Sequence, residues 1–253
     1  MEIDRTVNHT KEQIILLAKK VANYILADSC YMAIWSLKPV LDSRCPFSKL
    51  DCLGKEIGQL GSGQKEKFFK AFDEIINYNA MGGFVIVSKA LIYFIKDEFE
   101  TVMRKSREYI IKGDAWYVCD IIGERSLGYA LINYFDRTLP WLKQFFEDEN
   151  KWVKRSAGVS IHFFSKRVLD ELEKTKKLLS LLEPYIEEKQ IDVVKGIGWA
   201  LKTIGRYHPD MLMEFLRRQL KAKKRISKLM VKKAITYLGD DKKSELENYV
   251  QSL

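Results

Sequence analysis

Apolar residues recur at intervals of three and four along almost the whole chain, and few helix-breaking residues interrupt them. Only five prolines and fourteen glycines occur among 253 residues. In the segment 65–78, for example, Phe68, Phe72, Ile75 and Ile76 fall on a single stripe. This spacing is typical of amphipathic helices, and no segment shows the alternation expected of a strand. The sequence therefore predicts an all-α protein.

The predicted helices follow one another at short intervals. Thr10 and Gln13 have the spacing of a capping box at the start of the first helix, over residues 13–26. The remaining predicted helices cover residues 65–78, 81–95, 98–111, 115–122, 126–135, 139–146, 151–164, 169–182, 191–206, 211–220, 227–238 and 243–251. Short helices joined by short turns favour antiparallel helix pairs.

The segment 30–63 has the least regular pattern, and its glycines imitate a phosphate-binding loop. Gly58, Gly61 and Gly63 have suggestive spacing, but Gln64 stands where such a loop carries lysine, and no buried strand precedes it. A turn between helices is the better interpretation.

Three bulky residues mark a repeat. Trp116, Arg155 and Trp199 each fall on a helix that opens a predicted pair, and they are separated by 39 and 44 residues. These separations lie near the roughly 40 to 47 residues of HEAT-like repeats, in which equivalent helices line one concave face. We expect a curved solenoid of antiparallel HEAT-like helix pairs that forms a single domain over residues 1–253, with these residues on the concave side.

The charge of the chain favours a polyanionic partner. Lysine and arginine outnumber aspartate and glutamate by 43 to 34, which gives a net charge of +9. Nine cations and no acid lie between Phe215 and Gly239. These are the cations of the basic run: Arg217, Arg218, Lys221, Lys223, Lys224, Arg225, Lys228, Lys232 and Lys233. A solvated helix face normally also carries acids, so contact with nucleic-acid phosphates is favoured over a membrane.

Other classes of site have little support in the sequence. The apolar run Met81–Ile95 is interrupted by Lys89 and is too short to span a bilayer, so a cytoplasmic protein is expected. Four cysteines contain no Cys-x-x-Cys pair, and only three histidines occur, at positions 9, 162 and 208. We expect reduced, mostly buried thiols, no metal and no cofactor.

Two features on predicted helices call for explanation. Trp116 and Asp120 stand four residues apart on a helix that Asp114 would cap, and apolar residues flank Asp120. A carboxylate in such a setting is either half of a buried ion pair or a functional group. Gly196 and Gly198 before Trp199 each cost about 1 kcal/mol in a helix. They suggest close approach of the backbone, either to a neighbouring helix or to DNA.

Four segments, AWYVCDII, ENKWVKRSAGV, IGWALKTIGRYHPDM and ISKLMVKKAITYL, resemble in order and spacing the AlkD-type DNA alkylation repair enzymes. The likeness is best over residues 110–238, and residues 1–80 are diverged. The resemblance implies a solenoid that holds duplex DNA in its concave face and excises positively charged N3- and N7-alkylated purines, such as 3-methyladenine and 7-methylguanine, in base excision repair. It further implies that the lesion can stay in the duplex during catalysis.

The resemblance also implies roles for individual residues. Asp120, Trp116 and Trp199 would be catalytic, the carboxylate stabilising the sugar cation and the indoles offering it aromatic faces. A larger set is expected to bind duplex DNA: Arg155, Tyr24, Lys154, Arg217, Arg218, Lys221, Lys224, Arg225, Lys228 and Lys232. No metal takes part, and a monomer is expected.

Two alternatives stay open. Basic solenoids also bind DNA or structured RNA without chemistry, and the presence of Asp120 beside both tryptophans argues against that reading. Many helical repeats are protein-interaction scaffolds, but a scaffold leaves the acid-free basic run unexplained.

Overall fold

The computed structural model describes the backbone of residues 10–251 and the side chains of residues 10–246; His9 lies outside this range. The described residues form helices and turns, with no strand among them, so the all-α prediction is confirmed. The capping box of Thr10 and Gln13 is present as expected. Within residues 10–251, none of the helices combines the length and apolar character that a bilayer span requires. The chain divides into two compact units, 1–126 and 127–253.

The first unit is a two-layered stack of short helices. In chain order these are α1 Lys11–Leu26, α2 Cys30–Leu41, α3 Phe47–Gly61, α4 Lys65–Asn77, α5 Met81–Leu91, α6 Phe99–Gly113 and α7 Trp116–Ile122. α1, α3, α5 and α7 pack side by side in one layer, and α2, α4 and α6 form the other. This alternation is the expected packing of helix pairs in a repeat fold.

The second unit repeats this layering. Its helices are α8 Gly128–Asn133, α9 Phe135–Glu147, α10 Lys151–Ser165, α11 Leu172–Leu182, α12 Ile191–Tyr207, α13 Pro209–Lys221, α14 Lys228–Ala234 and α15 Asp240–Gln251. α8, α10, α12 and α14 form one row. α13 pairs with α12 and lies outside that row.

Two helices, α2 and α3, occupy the segment that looked least regular in the sequence. Three glycines of α3 lie against other helices, and a Cβ on Gly54 would meet the carbonyl oxygen of Ile86 in α5. Gly58 approaches α5 in the same way, and Gly61 lies against Phe68 of α4. The interpretation of Gly58 and Gly61 as a turn was therefore wrong, because both lie in a helix whose backbone contacts its neighbours.

A π-helical turn over Gly123–Leu127 joins α7 to α8. The sequence predicted a break between two helices at this place. The hydroxyl of Ser126 lies 3.0 Å from that of Ser106 in α6, and it also donates to the carbonyl of Ile122. The irregular turn thus has a polar contact inside the first unit.

The thiols are less buried than expected. None of the four cysteines forms a disulfide, but only Cys119 is buried, whereas Cys30, Cys45 and Cys52 are partly exposed. Burial raises the pKa of Cys45 above its ordinary value despite the nearby Lys49. The prediction of reduced thiols stands, and the prediction that most are buried was wrong.

Candidate nucleic-acid interface

Glycines bring α10, α12 and α14 unusually close together in the second unit. A Cβ on Gly158 of α10 would lie 2.5 Å from the carbonyl carbon of Gly196 in α12. A Cβ on Gly198 would lie 2.8 Å from Cδ of Lys233 in α14. The glycines before Trp199 are therefore required by neighbouring helices, which decides between the two explanations that the sequence left open.

One stripe of α12 remains accessible beside this contact. Lys195, Trp199, Lys202 and Arg206 recur at intervals of four, three and four and are exposed or partly exposed, whereas most of the helix is buried. Three cations and one indole thus lie along a single helix face. Only Trp199 of this stripe was anticipated, although the helical spacing was visible in the sequence.

α14 and the turn that follows it add a lysine and an aromatic ring to this stripe. Nζ of Lys202 and Cζ of Arg206 each lie 5.0 Å from the ring centroid of Tyr237, just beyond the end of α14. The pKa of Lys233 is lowered by burial first and then by the positive charges of Lys202, Arg155 and Lys195. We call the surface formed by Lys195, Trp199, Lys202, Arg206, Lys233 and Tyr237 the α12–α14 face.

The α12–α14 face is positively charged with little compensation. Among the described residues, no carboxylate lies within 4.0 Å of Lys202, Arg206 or Lys233, and Lys195 has only Asp192 at 3.8 Å. After burial, the positive charges of Lys202 and Lys195 contribute to the lowered pKa of Lys233, as expected of like charges at short range. A polyanion that contacts them would relieve the repulsion.

Trp199 is held from one side by a histidine of α10. The indole stacks on the imidazole of His162 with ring centroids 4.0 Å apart and planes inclined by 22°. His162 is buried, and its Nδ1 lies 2.6 Å from the hydroxyl oxygen of Thr203. No signal in the sequence points to this contact, because a lone histidine on an apolar helix fits many environments.

Arg155 lies on the same side of α10 as His162, seven residues before it. Its side chain is only 8% exposed, and a Cβ on Gly196 would lie 3.1 Å from its Cγ. The structure thus places Arg155 against α12, the helix that carries Trp199. Burial leaves little of the guanidinium group for a phosphate, and its role in DNA binding stays a prediction. The neighbouring Lys154 is partly exposed.

Trp116 and Asp120 lie one turn apart on α7 in the first unit. Trp116 is 59% exposed and meets Tyr117 edge to face, with centroids 6.0 Å apart. Asp120 is partly exposed. Asp114 does not cap α7 as expected; it ends α6 in the left-handed conformation, with φ of 40°, and α7 follows Ala115. The exposed indole and the carboxylate share one face, as predicted.

The cations of the basic run do not form a single surface, and acids from elsewhere in the chain pair with some of them. Arg217, Arg218 and Lys221 lie on α13, outside the row that contains α12 and α14. Glu245 binds Arg217 through two contacts of 2.6 Å, and Glu183 lies 2.7 Å from Arg218. The expectation of uncompensated charge was wrong for these residues, because helices distant in sequence supply the acids.

The remaining cations of the run also differ among themselves. Glu187 lies 3.3 Å from Lys224 and accepts a hydrogen bond from the backbone N–H of Arg225. Lys228 and Lys232 are exposed at α14. Both belong to the helix that supplies Lys233 to the α12–α14 face.

Tyr24, which the sequence placed among the DNA-binding residues, belongs to the first unit. Tyr24 is partly exposed on α1, with Nζ of Lys20 6.0 Å from its ring centroid. Among the described residues, no group of three or more histidine, cysteine, aspartate or glutamate side chains is arranged to hold a metal ion.

Comparisons with known proteins support the same fold and family. The sequence matches the family model described as DNA alkylation repair enzyme over residues 54–238. Among solved structures, it is similar to the Pseudomonas fluorescens alkylpurine DNA glycosylase AlkC bound to DNA containing an abasic site analog. The TM-score is 0.61 at 15% identity, and the likeness covers 95% of this chain and 68% of the other. Comparison with curated proteins gave no match.

Proposed function

Since this chain belongs to the DNA alkylation repair enzyme family, we propose that it is a DNA glycosylase that excises cationic N3- and N7-alkylated purines from duplex DNA. The observation that carries the proposal is the α12–α14 face, where Trp199 lies among four cations that have little acidic compensation. The match to a glycosylase structure that contains DNA supports it.

The cations of the α12–α14 face would bind the DNA backbone. Lys195, Lys202, Arg206 and Lys233 would each meet a phosphate, which releases counterions and gives affinity without sequence preference. Trp199 would offer an aromatic face to the bound DNA.

Asp120 would supply the negative charge that the reaction needs. When the C1′–N bond of an alkylated purine breaks, both electrons go to the base, which becomes neutral and needs no general acid. The sugar is left as an oxocarbenium-like cation, which the carboxylate of Asp120 would stabilise. Water then adds to C1′ and gives up a proton, which the carboxylate of Asp120 would accept. Trp116, one turn away, would face the same sugar.

A direct assay tests this function. Duplex DNA methylated by an alkylating agent is incubated with the protein, and released 7-methylguanine and 3-methyladenine are measured by chromatography. We expect release of at least one of these bases by the wild type and almost none by Asp120→Asn. Equal release by both proteins, or release by neither, would contradict the proposal.

Non-catalytic binding of DNA is the second candidate. It is favoured by the composition of the α12–α14 face, which contains cations and aromatic rings but no carboxylate. Tight, salt-sensitive binding of duplex DNA without base release would establish this alternative.

A further inference from the structure

His162, Thr203 and Trp199 form a connected group whose hydrogen bonds run in a single direction. Nζ of Lys166 lies 3.2 Å from Nε2 of His162. An ammonium group only donates, so in this contact Nε2 accepts, which assigns the imidazole proton to Nδ1. Nδ1 donates to the hydroxyl oxygen of Thr203 at 2.6 Å, and Thr203 donates to the backbone carbonyl of Trp199 at 3.0 Å.

Both nitrogens of the imidazole are therefore in hydrogen-bond contact. Through Thr203 the imidazole is also connected to the backbone of Trp199, whose indole it stacks on. The imidazole of His162 covers one face of the Trp199 indole at 4.0 Å between centroids. Trp199 is nevertheless partly exposed, so its exposure comes from the rest of the ring. An indole supported in this way presents one defined aromatic surface next to Lys202 and Lys195 of its own helix.

We propose that His162 is a positioning residue, which fixes the indole of Trp199 in the orientation that DNA meets. The role in DNA processing rests on the proposed glycosylase function, whereas the orientation of the ring does not. The competing explanation is that His162 and Thr203 only fill the space between α10 and α12. The two explanations differ in what happens to the Trp199 ring when the protein stays folded.

Fluorine NMR of protein labelled with 5-fluorotryptophan observes the ring directly. The chain has five tryptophans, and Trp199→Phe assigns the resonance of Trp199. We expect a narrow resonance in the wild type that broadens or splits in His162→Ala. His162→Phe, which preserves a stacking partner, should restore most of the narrow line.

Thr203→Val tests the hydrogen-bond chain with little change in volume. Its matched control is Thr138→Val, because Thr138 is also buried and donates to the carbonyl four residues before it, at 2.8 Å. We expect the Trp199 resonance to change in Thr203→Val and to stay as in the wild type in Thr138→Val. An unchanged Trp199 resonance in both His162→Ala and Thr203→Val would overturn the proposal, whatever their melting temperatures.

Activity gives a second readout that separates this proposal from the proposed function. Single-turnover excision by His162→Ala should be roughly three- to tenfold slower than wild type, the scale of an aromatic pair, while duplex affinity changes less than about twofold. His162→Phe should recover most of the rate. Absence of excision by the wild type would contradict the glycosylase function, and the Trp199 resonance alone would then decide the role of His162.

Discussion

Gly158 of α10 faces Gly196 of α12 so closely that a Cβ on Gly158 would lie 2.5 Å from the carbonyl carbon and 2.6 Å from the carbonyl oxygen of Gly196. The contact is between backbones, which cannot move aside as a flexible side chain can. It fixes the separation of the two helices that provide His162 and Trp199. Packing at this point therefore controls the geometry of the candidate interface.

Gly158→Ala should destabilise the protein by about 1 to 3 kcal/mol, the usual cost of overpacking. Gly239→Ala is the matched control, because a Cβ at Gly239 would meet nothing within 4 Å. It should be neutral or slightly stabilising. Denaturant unfolding measures both variants, and equal midpoints would show that the two helices separate at little cost.

Neutralising the α12–α14 face should weaken DNA binding and its salt dependence together. Duplex binding should fall with a log–log salt slope of roughly −4 to −7 if about four to eight phosphates are contacted. Lys202→Gln and Arg206→Gln should each reduce that slope by about 0.9, the value for one lost phosphate contact. Fluorescence anisotropy at several salt concentrations provides the measurement.

Arg217→Gln is the control for this series, because Arg217 lies on α13 and is paired with Glu245. We expect it to leave the salt slope nearly unchanged. A larger loss in Arg217→Gln than in Lys202→Gln would place the DNA on α13 instead.

Lys233 should be unusually reactive towards small acylating reagents. Its pKa is lowered by burial and by Lys202, Arg155 and Lys195, so more of the amine is deprotonated at a given pH. Phosphates raise the pKa again, and bound duplex should therefore protect Lys233. Mass spectrometry after brief acetylation, with exposed Lys228 as the internal reference, measures both effects. Lys202→Gln should make Lys233 less reactive, and higher reactivity in that variant would contradict the electrostatic explanation.

His208 should make the protein less stable in mild acid. It precedes α13, and its Nε2 is buried without a hydrogen bond to the described residues. Burial lowers the pKa of His208, although Asp170 acts in the opposite direction. The unfolded state therefore takes up the proton more readily. The stability that the protein gains from the neutral, buried His208 is fully present above about pH 6.5, the ordinary pKa of histidine. It is lost as the pH falls through the lower pKa of His208 in the folded state.

Melting temperature as a function of pH tests this explanation with His208→Gln, which cannot titrate in this range. We expect the stability of the wild type to fall more steeply than that of the variant as the pH is lowered below about 6.5. Parallel curves would show that other groups cause the acid sensitivity.

The helices were largely predictable, and the exceptions have a common physical cause. Residues 30–63 looked irregular because two prolines and four glycines fall within them, yet they form α2 and α3. Intrinsic propensity disfavours glycine in a helix, but close packing of α3 on α5 is possible only without side chains. A single sequence does not show which neighbouring helix packs into the space that a glycine leaves.

The candidate interface was predictable only in part. Trp199 stood out as a tryptophan after two glycines, whereas Lys195, Lys202 and Arg206 are dispersed in sequence and adjacent only on the helix. The contiguous basic run was misleading because it crosses a turn between α13 and α14, and acids from other helices neutralise part of it. Adjacency along the chain is a poor guide to which charges share a surface.

Two explanations for the carboxylate of Asp120 predict opposite properties of the variant Asp120→Asn. If its carboxylate only stabilises the fold as half of an ion pair, Asp120→Asn leaves a cation unpaired and should cost about 3 to 5 kcal/mol if that pair is buried. Excision would then fall only as folded protein is lost. If the carboxylate instead stabilises the sugar cation, asparagine preserves its shape and removes the charge. Fold and DNA binding should then survive, while single-turnover excision drops by roughly 100-fold or more.

We predict the second outcome, because Asp120 is partly exposed on α7 one turn from the exposed indole of Trp116. Asp120→Asn should melt close to the wild type and bind duplex at least as tightly, since a carboxylate near phosphates repels them. Asp241→Asn, a change at an exposed aspartate on α15, controls for the loss of one negative charge. Thermal melting, anisotropy and 7-methylguanine release are measured on the same preparations. Full excision by Asp120→Asn would refute the catalytic assignment, and a large fall in its melting temperature would favour the ion pair.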